Sequence, residues 1–435
     1  MEFWMFRGWM RGVMAGLACA GLGLATRARA EGPFTAAQLA EQVVKANPEL
    51  RIYEQALASA RAEVRTAGKP SVPAFQGEAG QIRSKNLDGS LAGEGAVWSA
   101  SVQQTFEWPG RLALRKAIAN ADVRLAELGL ARFRQALSGR ARELALGMSG
   151  EEEKARVARE VADRFHALRE VLVQRDPAGV TPLLEIRILE ATELSLRRRA
   201  ADHELAASGQ RLELNLLRGA APDAALPVAW QAPALREAPS SQGLLMAAST
   251  NNLDLQARLA DMAQQGLRAK LARNERWPAI SINPTFAEEH GSTVDRFMKV
   301  GVSVPLPLWR SNASNVAAAE AREKQATAAL EAARREVELK VLTSAQRYAS
   351  RRDEMGRWRD DSVKAFREAA ELADRHYRLG AVPATTYVEL QKQYLEAVET
   401  LLDTRRDALS AAIDLEQATG LRLADEGAAA EGGSR

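Results

Sequence analysis

The sequence predicts a mainly helical protein with a small β part, built from long helical hairpins and four short strands in an internal duplication. Three observations lead there. Two short alternating segments switch directly into very long helical patterns. In the first, Trp98, Ala100, Val102, Gln104 and Phe106 alternate with Ser99, Ser101, Gln103 and Thr105, and Glu107-Trp108-Pro109-Gly110-Arg111 then starts a helix. In the second, Met298, Val300, Val302, Val304 and Leu306 alternate with Lys299, Gly301, Ser303 and Pro305, and Ser311–Asn315 offers capping side chains to the next helix. The next observation is repetition: Asn47-Pro48-Glu49-Leu50 is echoed by Asn252-Leu253-Asp254-Leu255, and Val72-Pro73-Ala74-Phe75 by Trp277-Pro278-Ala279-Ile280, about 205 positions on. Finally, after residue 31 there is no run of about 18 apolar residues, so no helix is expected to cross a bilayer.

Taken in order, residues 1–30 read as a secretion signal. Arg7 and Arg11 precede the apolar run Gly12–Leu24, and Ala28-Arg29-Ala30 has the small-x-small form of a cleavage site. Cleavage there removes Cys19, the one cysteine of the chain, and leaves no thiol or disulfide. The first repeat, 31–220, begins with a short helix over Phe34–Ala46. A second helix runs from Asn47 to about Gly68, where Pro70 and Pro73 stop it. Phe75–Ile82 is a strand candidate, Asn86–Gly95 a glycine-rich loop, and Val97–Phe106 the strand already described. The helix from Arg111 reaches about Gln174, on the order of 95 Å at ~1.5 Å per residue. Asp176-Pro177-Ala178-Gly179 turns it, and Pro182 suits the first turn of the returning helix, which stops at Gly219.

Residues 221–241, rich in Ala and Pro, read as a linker. The second repeat, 242–423, restarts the series. Gly243–Ser249 is a short helix and Asn252 opens the next. Ile280, Ile282 and Phe286 mark a strand, Glu288–Thr293 a polar loop, and Phe297–Leu306 the final strand. One helix is expected from Ala317 to Leu379, a turn at Gly380–Pro383, and a return to Gly420. Residues 424–435 are small and polar and read as a disordered tail. Pro284 and Pro305 are awkward in central strands and are expected to need bulges.

Each repeat thus offers two strands of about ten residues, the length that crosses a bilayer when tilted in a barrel. Four strands cannot close one, since the smallest barrels have about eight, and open edges are prohibitive in lipid. If the strands lie in a membrane, several chains share one barrel; three would supply twelve strands. Trp108, Trp277 and Trp309 fall where strands meet helices and Trp98 at the opposite end, the placement of interfacial aromatic belts. The helices carry narrow apolar stripes suited to coiled-coil packing. With 435 residues, a net charge of +3 and acids and bases interspersed, the chain carries no nucleic-acid footprint. His166, His203, His290 and His376 have no partner at metal-ligand spacing, and His166 and His376 are expected to face solvent. Neither a catalytic constellation nor a phosphate-binding glycine loop is visible, so no enzyme activity and no cofactor is expected.

Two further segments carry a resemblance: Val302–Leu308 (VSVPLPL) running into a long helix, and Tyr377-Arg378-Leu379-Gly380 followed by Val388-Glu389-Leu390-Gln391. With the duplicated element order, these make Phe34–Leu421 resemble the TolC-like outer-membrane efflux family. Gln104–Arg111 (QTFEWPGR) and Pro305–Ala319 are most similar to its heavy-metal-efflux branch. The resemblance implies a homotrimer with a twelve-stranded β-barrel in the outer membrane of a Gram-negative bacterium and a long α-barrel in the periplasm. It implies the exit duct of a tripartite efflux system, with a periplasmic adaptor and an inner-membrane pump of the resistance–nodulation–division class. The hairpin tips, with Asp176, Gly179, Arg378, Leu379 and Gly380, would dock the adaptor. Glu185 and Glu389, just inside the tips, would ring the pore and favour cations, although Thr386 stands where the family tends to have a second acid. An outer-membrane duct for protein secretion and a periplasmic coiled-coil scaffold are the competing readings.

Overall fold

The computed structural model describes residues 34–175, 183–228, 234–291, 293–306, 312–358 and 362–425. The leader with Cys19, residues Asp176, Gly179 and Trp309, and the tail beyond 425 lie outside them.

The first repeat opens with α1 (Ala36–Ala46), capped by Thr35, whose hydroxyl accepts from the Gln38 N–H at 3.2 Å. Next come α2 (Leu50–Ala67), β1 (Ala74–Lys85) and β2 (Leu91–Phe106), then α3 (Arg111–Arg175), unbroken over 65 residues, and α4 (Leu183–Leu217). A two-residue β3 (Ala234–Leu235) precedes the second repeat. There α5 (Ser241–Asn251), α6 (Leu253–Asn274), β4 (Ile280–His290) and β5 (Val294–Ser303) repeat the order, followed by α7 (Ala313–Arg357), α8 (Ser362–Arg378) and α9 (Ala384–Thr419). A two-residue β6 (Ala424–Asp425) pairs with β3. Within the expected linker and tail, therefore, Ala234–Leu235 and Ala424–Asp425 are joined. Among the described residues no helix is long and apolar enough to cross a membrane.

The echoed sequence positions do the same physical work twice. Asn47 donates to the Leu217 carbonyl at 2.8 Å and Asn252 to the Ala418 carbonyl at 2.9 Å. Each thus ties the entry of a second helix to the end of a returning one. Ser240 caps α5 as Thr35 caps α1. Both returning helices end on a left-handed glycine, Gly219 (φ 65°) and Gly420 (φ 72°), a conformation that costs other residues about 1–2 kcal/mol.

The core is a series of clusters along the helices. Near the hairpin ends Val157, Val161 and Phe165 of α3 pack with Leu189 of α4 and with Tyr387, Tyr394 and Leu395 of α9. Toward the sheet, α1 closes over α3 and α4 through Leu39, Val43, Met148 and Leu214, and α5 closes over α7 and α9 through Leu244, Val341, Tyr348 and Leu415. α3 lies between α4 and α9, and α9 between α3 and the α7–α8 pair, so α4 and α7–α8 form the two flanks.

Four expectations need correction. The second long helix is two helices, α7 ending at Arg357, where Trp358 has an extended ψ of 112°, and α8 beginning at Ser362. The loops are shorter than expected, since Leu91–Gly95 belong to β2 and Glu288–His290 to β4. Pro284 needs no bulge: β4 pairs with β5 throughout and with β2 on either side of the proline, from Ser101/Thr285 to Gln104/Ile282, in one unchanged register. The missing N–H merely interrupts the ladder on the β2 side. Pro305 lies past the end of β5.

Candidate functional site

The four strands form one antiparallel sheet in the order β1-β2-β4-β5, so each repeat contributes one hairpin and the outer strands β1 and β5 have open edges. Register places Phe75 beside Val102, Gln104 beside Ile282, and Ile282 beside Val302. One face therefore carries Phe75, Trp98, Val102, Phe106, Ile280, Ile282, Phe286, Met298, Val300 and Val302. The other carries Gln76, Glu78, Ser99, Ser101, Gln103, Thr105, Ser281, Asn283, Thr285 and Lys299.

Burial runs opposite to that of a water-soluble sheet. Along β4 the apolar Ile280, Ile282 and Phe286 are exposed while Ser281, Thr285 and Ala287 are buried. Met298, Val300 and Val302 are 82%, 70% and 66% exposed. The polar face closes on itself, with Thr105 and Ser281 hydroxyls hydrogen-bonded at 2.9 Å. Leaving such side chains in water forgoes about 1.5–3 kcal/mol each, so hydrocarbon is the medium that suits this face.

The apolar band has limits on both sides. Trp98 to Phe106 spans eight residues, ~26 Å along the strand and about 20 Å across a membrane at a barrel tilt near 40°. Above Trp98 its register partner Glu288 meets Arg296 at 3.2 Å and His290 at 2.7 Å, so charge begins there. Trp98 is thus not at the strand end, as expected, but mid-strand. β2 continues to Leu91, and the first hairpin rises past the last β2–β4 pair, Val97/Glu289, by six residues or ~20 Å. At the lower limit Trp108 and Trp277 stack with ring centroids 5.0 Å apart.

Beside that stack is a joint whose role sequence reading did not foresee, though Arg111 lies in the motif quoted above. Arg111, 6% exposed, donates from Nε to the Asn274 side chain at 3.1 Å and from Nη2 to the carbonyls of Asn274 (3.2 Å) and Trp277 (2.7 Å). Asn274 returns a bond to the Pro109 carbonyl at 3.0 Å. The start of α3 in the first repeat is thereby clamped to the end of α6 in the second. A guanidinium at a helix C-terminus also answers the negative end of the helix dipole.

At the far end of the hairpins, α8 stops at Gly380 (φ 75°), whose N–H bonds to the Tyr377 carbonyl at 2.9 Å while Ala381 N–H bonds to His376 O at 2.9 Å. Tyr387, fully buried, stacks on Tyr377 (5.1 Å) and tilts against Phe165 (5.3 Å), and its hydroxyl donates to Asp374 at 3.4 Å. Burial pushes the Tyr387 phenol well above its ordinary pKa. Arg378 reaches back to Asp374 at 2.9 Å, and Leu379 is left 81% exposed at the turn. Glu389 is exposed one turn further on and accepts from Gln393 at 3.0 Å. Glu185 is half-buried at the start of α4; burial, and secondarily the charge of Glu185, raise the Tyr377 phenol. Both glutamates thus lie at the tip end, on the returning helices of the two hairpins.

The histidines divide. His376 is exposed, as expected. His166 does not simply face solvent: it meets Glu193 of α4 at 3.0 Å, Glu170 at 3.4 Å and Arg169 at 3.2 Å. His203 lies between two buried carboxylates, Glu151 and Glu399. Sequence spacing cannot reveal such contacts, because their partners come from helices some 50 and 200 positions away.

Comparison with known proteins agrees with this geometry. Residues 244–421, nearly the whole second repeat, match the family model described as outer membrane efflux protein. No curated protein matches by sequence. The fold is similar to that of the Campylobacter jejuni CmeC outer membrane channel (TM-score 0.74, 15% identity, covering 88% of this chain and 85% of that one). It is also similar to the Vibrio cholerae outer membrane protein VceC (0.66, 17%, 88% and 96%) and to the Neisseria gonorrhoeae MtrE outer membrane channel in its open state (0.63, 17%, 89% and 89%). The resemblance to the outer-membrane efflux family read from the sequence, and the mainly helical fold with a small sheet, are borne out.

Proposed function

We propose that this chain, whose second repeat carries the outer membrane efflux protein domain and whose fold is that of outer-membrane channels, is the passive exit duct of a tripartite efflux system. The observation that carries the proposal is the inverted sheet: an open apolar face outside, a hydroxyl-rich face inside, and two unpaired edges. Edge pairing between copies removes the edges, and three copies make a twelve-stranded barrel. Along α4, Leu194, Leu205, Leu212 and Leu216 form an exposed stripe on one flank. Leu339 and Leu342 of α7 are exposed on the other flank. Closing β5 of one copy on β1 of the next brings these flanks together and continues the barrel as a helical tube below the membrane. A coiled-coil scaffold has no use for the inverted sheet.

In this reading the tips face the inner membrane and receive a periplasmic adaptor, with Arg378, Leu379 and Gly380 in the contact and Asp176 and Gly179 at the other tip. A pump of the resistance–nodulation–division class supplies the energy. Glu185 and Glu389 line the narrow end and favour cations, so metal cations or small toxic molecules are the cargo. The test is a deletion strain exposed to metals, dyes and antibiotics. Restored sensitivity to a set of small toxicants, reversed by the gene, supports efflux. Unchanged tolerance to all of them, with loss of a secreted protein, assigns the duct to protein secretion instead. In planar bilayers, Glu185→Ala with Glu389→Ala is expected to lower cation preference; unchanged selectivity removes the acidic constriction.

A further inference from the structure

A concentrated charge cluster lies well away from the tips, where α3, α4 and α9 meet. Its centre is His203 of α4. Nδ1 is 2.6 Å from Glu151 of α3, and Nε2 is 3.1 Å from Glu399 of α9. The side chains of Glu151 and Glu399 are 10% and 9% exposed, and that of His203 is 19% exposed. On its own helix Arg199 also bonds Glu399, and Asp202 and Glu204 flank the histidine. From α3, Lys154 bonds Glu151 at 2.9 Å; from α9, Asp403 takes a second bond from Lys154 at 2.7 Å and meets Arg406 at 3.2 Å.

We propose that His203 is a proton-operated latch joining the first helical hairpin to α9 of the second repeat. A neutral imidazole has one N–H and one lone pair, so it can satisfy only one of two carboxylates; the imidazolium donates to both. With the proton present, the ring links α3, α4 and α9. Without it, a lone pair faces a carboxylate and one link is lost. Glu151 keeps Lys154 and Glu399 keeps Arg199 in either state, so neither acid is stranded and the link opens without dismantling the core. Acid therefore tightens the contact of α4 with α9 at His203, and alkali leaves that contact to the Arg199–Glu399 pair. The consequence for transport rests on the duct reading: the latch sets how tightly α4 is held against α9.

Hydrogen exchange of the full chain in detergent, compared at an acidic and an alkaline pH after correction for intrinsic exchange, tests this. Peptides of α4 around 196–210 and of α9 around 392–406 are expected to exchange about tenfold faster at the alkaline pH, the ratio one charge-assisted hydrogen bond is worth. His203→Gln is expected to show the faster exchange at both pH values. Equal protection of the unaltered chain at both pH values overturns the latch, whether or not the variant folds, and so does a variant that keeps the full pH dependence. Neither outcome requires transport, so failure of the latch leaves the duct reading intact, and failure to conduct leaves the latch measurable.

Discussion

Replacing Arg111 by Met removes the clamp between the repeats while keeping most of the side-chain volume. Three acceptors lose their donor: the Asn274 side chain and the carbonyls of Asn274 and Trp277. Hydrogen bonds to a charged group contribute about 1.5–3 kcal/mol each, and a buried acceptor left unpaired costs about 1–3 kcal/mol. The three share one guanidinium, and Trp277 is 56% exposed, so water recovers part of the loss. A destabilisation of about 3–5 kcal/mol results, in the range for breaking a buried charged contact. Arg111→Lys retains the cation at the α6 terminus but not the fork, and is expected to cost about half as much. Urea unfolding in detergent, followed by tryptophan emission, reads the effect directly because Trp108 and Trp277 stack beside the joint. Asn274→Ala completes a double-mutant cycle, with a coupling of about 1 kcal/mol or more expected between neighbours. A change below about 0.5 kcal/mol for Arg111→Met, with the emission spectrum unaltered, refutes the clamp.

Three other substitutions probe separate parts of the fold. Val302→Arg places a charge on the apolar sheet face and is expected to cost about 2–4 kcal/mol if that face meets lipid, while Lys299→Ala on the polar face is expected to change folding in lipid vesicles little; equal effects refute the assignment of faces. Gly420→Ala forces a side chain onto a φ of 72° and to within 2.7 Å of the Asn251 Cβ, and is expected to lower stability by about 1–3 kcal/mol in urea titration; a neutral result removes the glycine from the end of α9. Leu205→Glu on the exposed α4 stripe is expected to leave the monomer's circular dichroism unchanged and to reduce assembly by tenfold or more in crosslinking, the effect of about 1.4 kcal/mol at the contact; undiminished crosslinking places the interface elsewhere.

By itself the sequence determined the element order, its duplication and the two-faced character of the strands. These are local signals: a period of two, glycines at helix ends, and asparagines at helix starts have their meaning within a few residues. They sufficed to find α3 to within a residue and to place Asn47 and Asn252 at equivalent points. What the tertiary structure alone decided depends on residues far apart in the chain. Where the second long helix divides into α7 and α8 was one such outcome, with no signal in its local pattern. Pro284 fits without a bulge because of where its missing N–H falls between two neighbouring strands. The turn at Gly380 was legible from its glycine, but the Arg111 joint and the His203 junction were not. Their partners lie some 160 and 50 to 200 positions away, and only folding brings those groups within hydrogen-bonding distance, where burial gives the contact its energy.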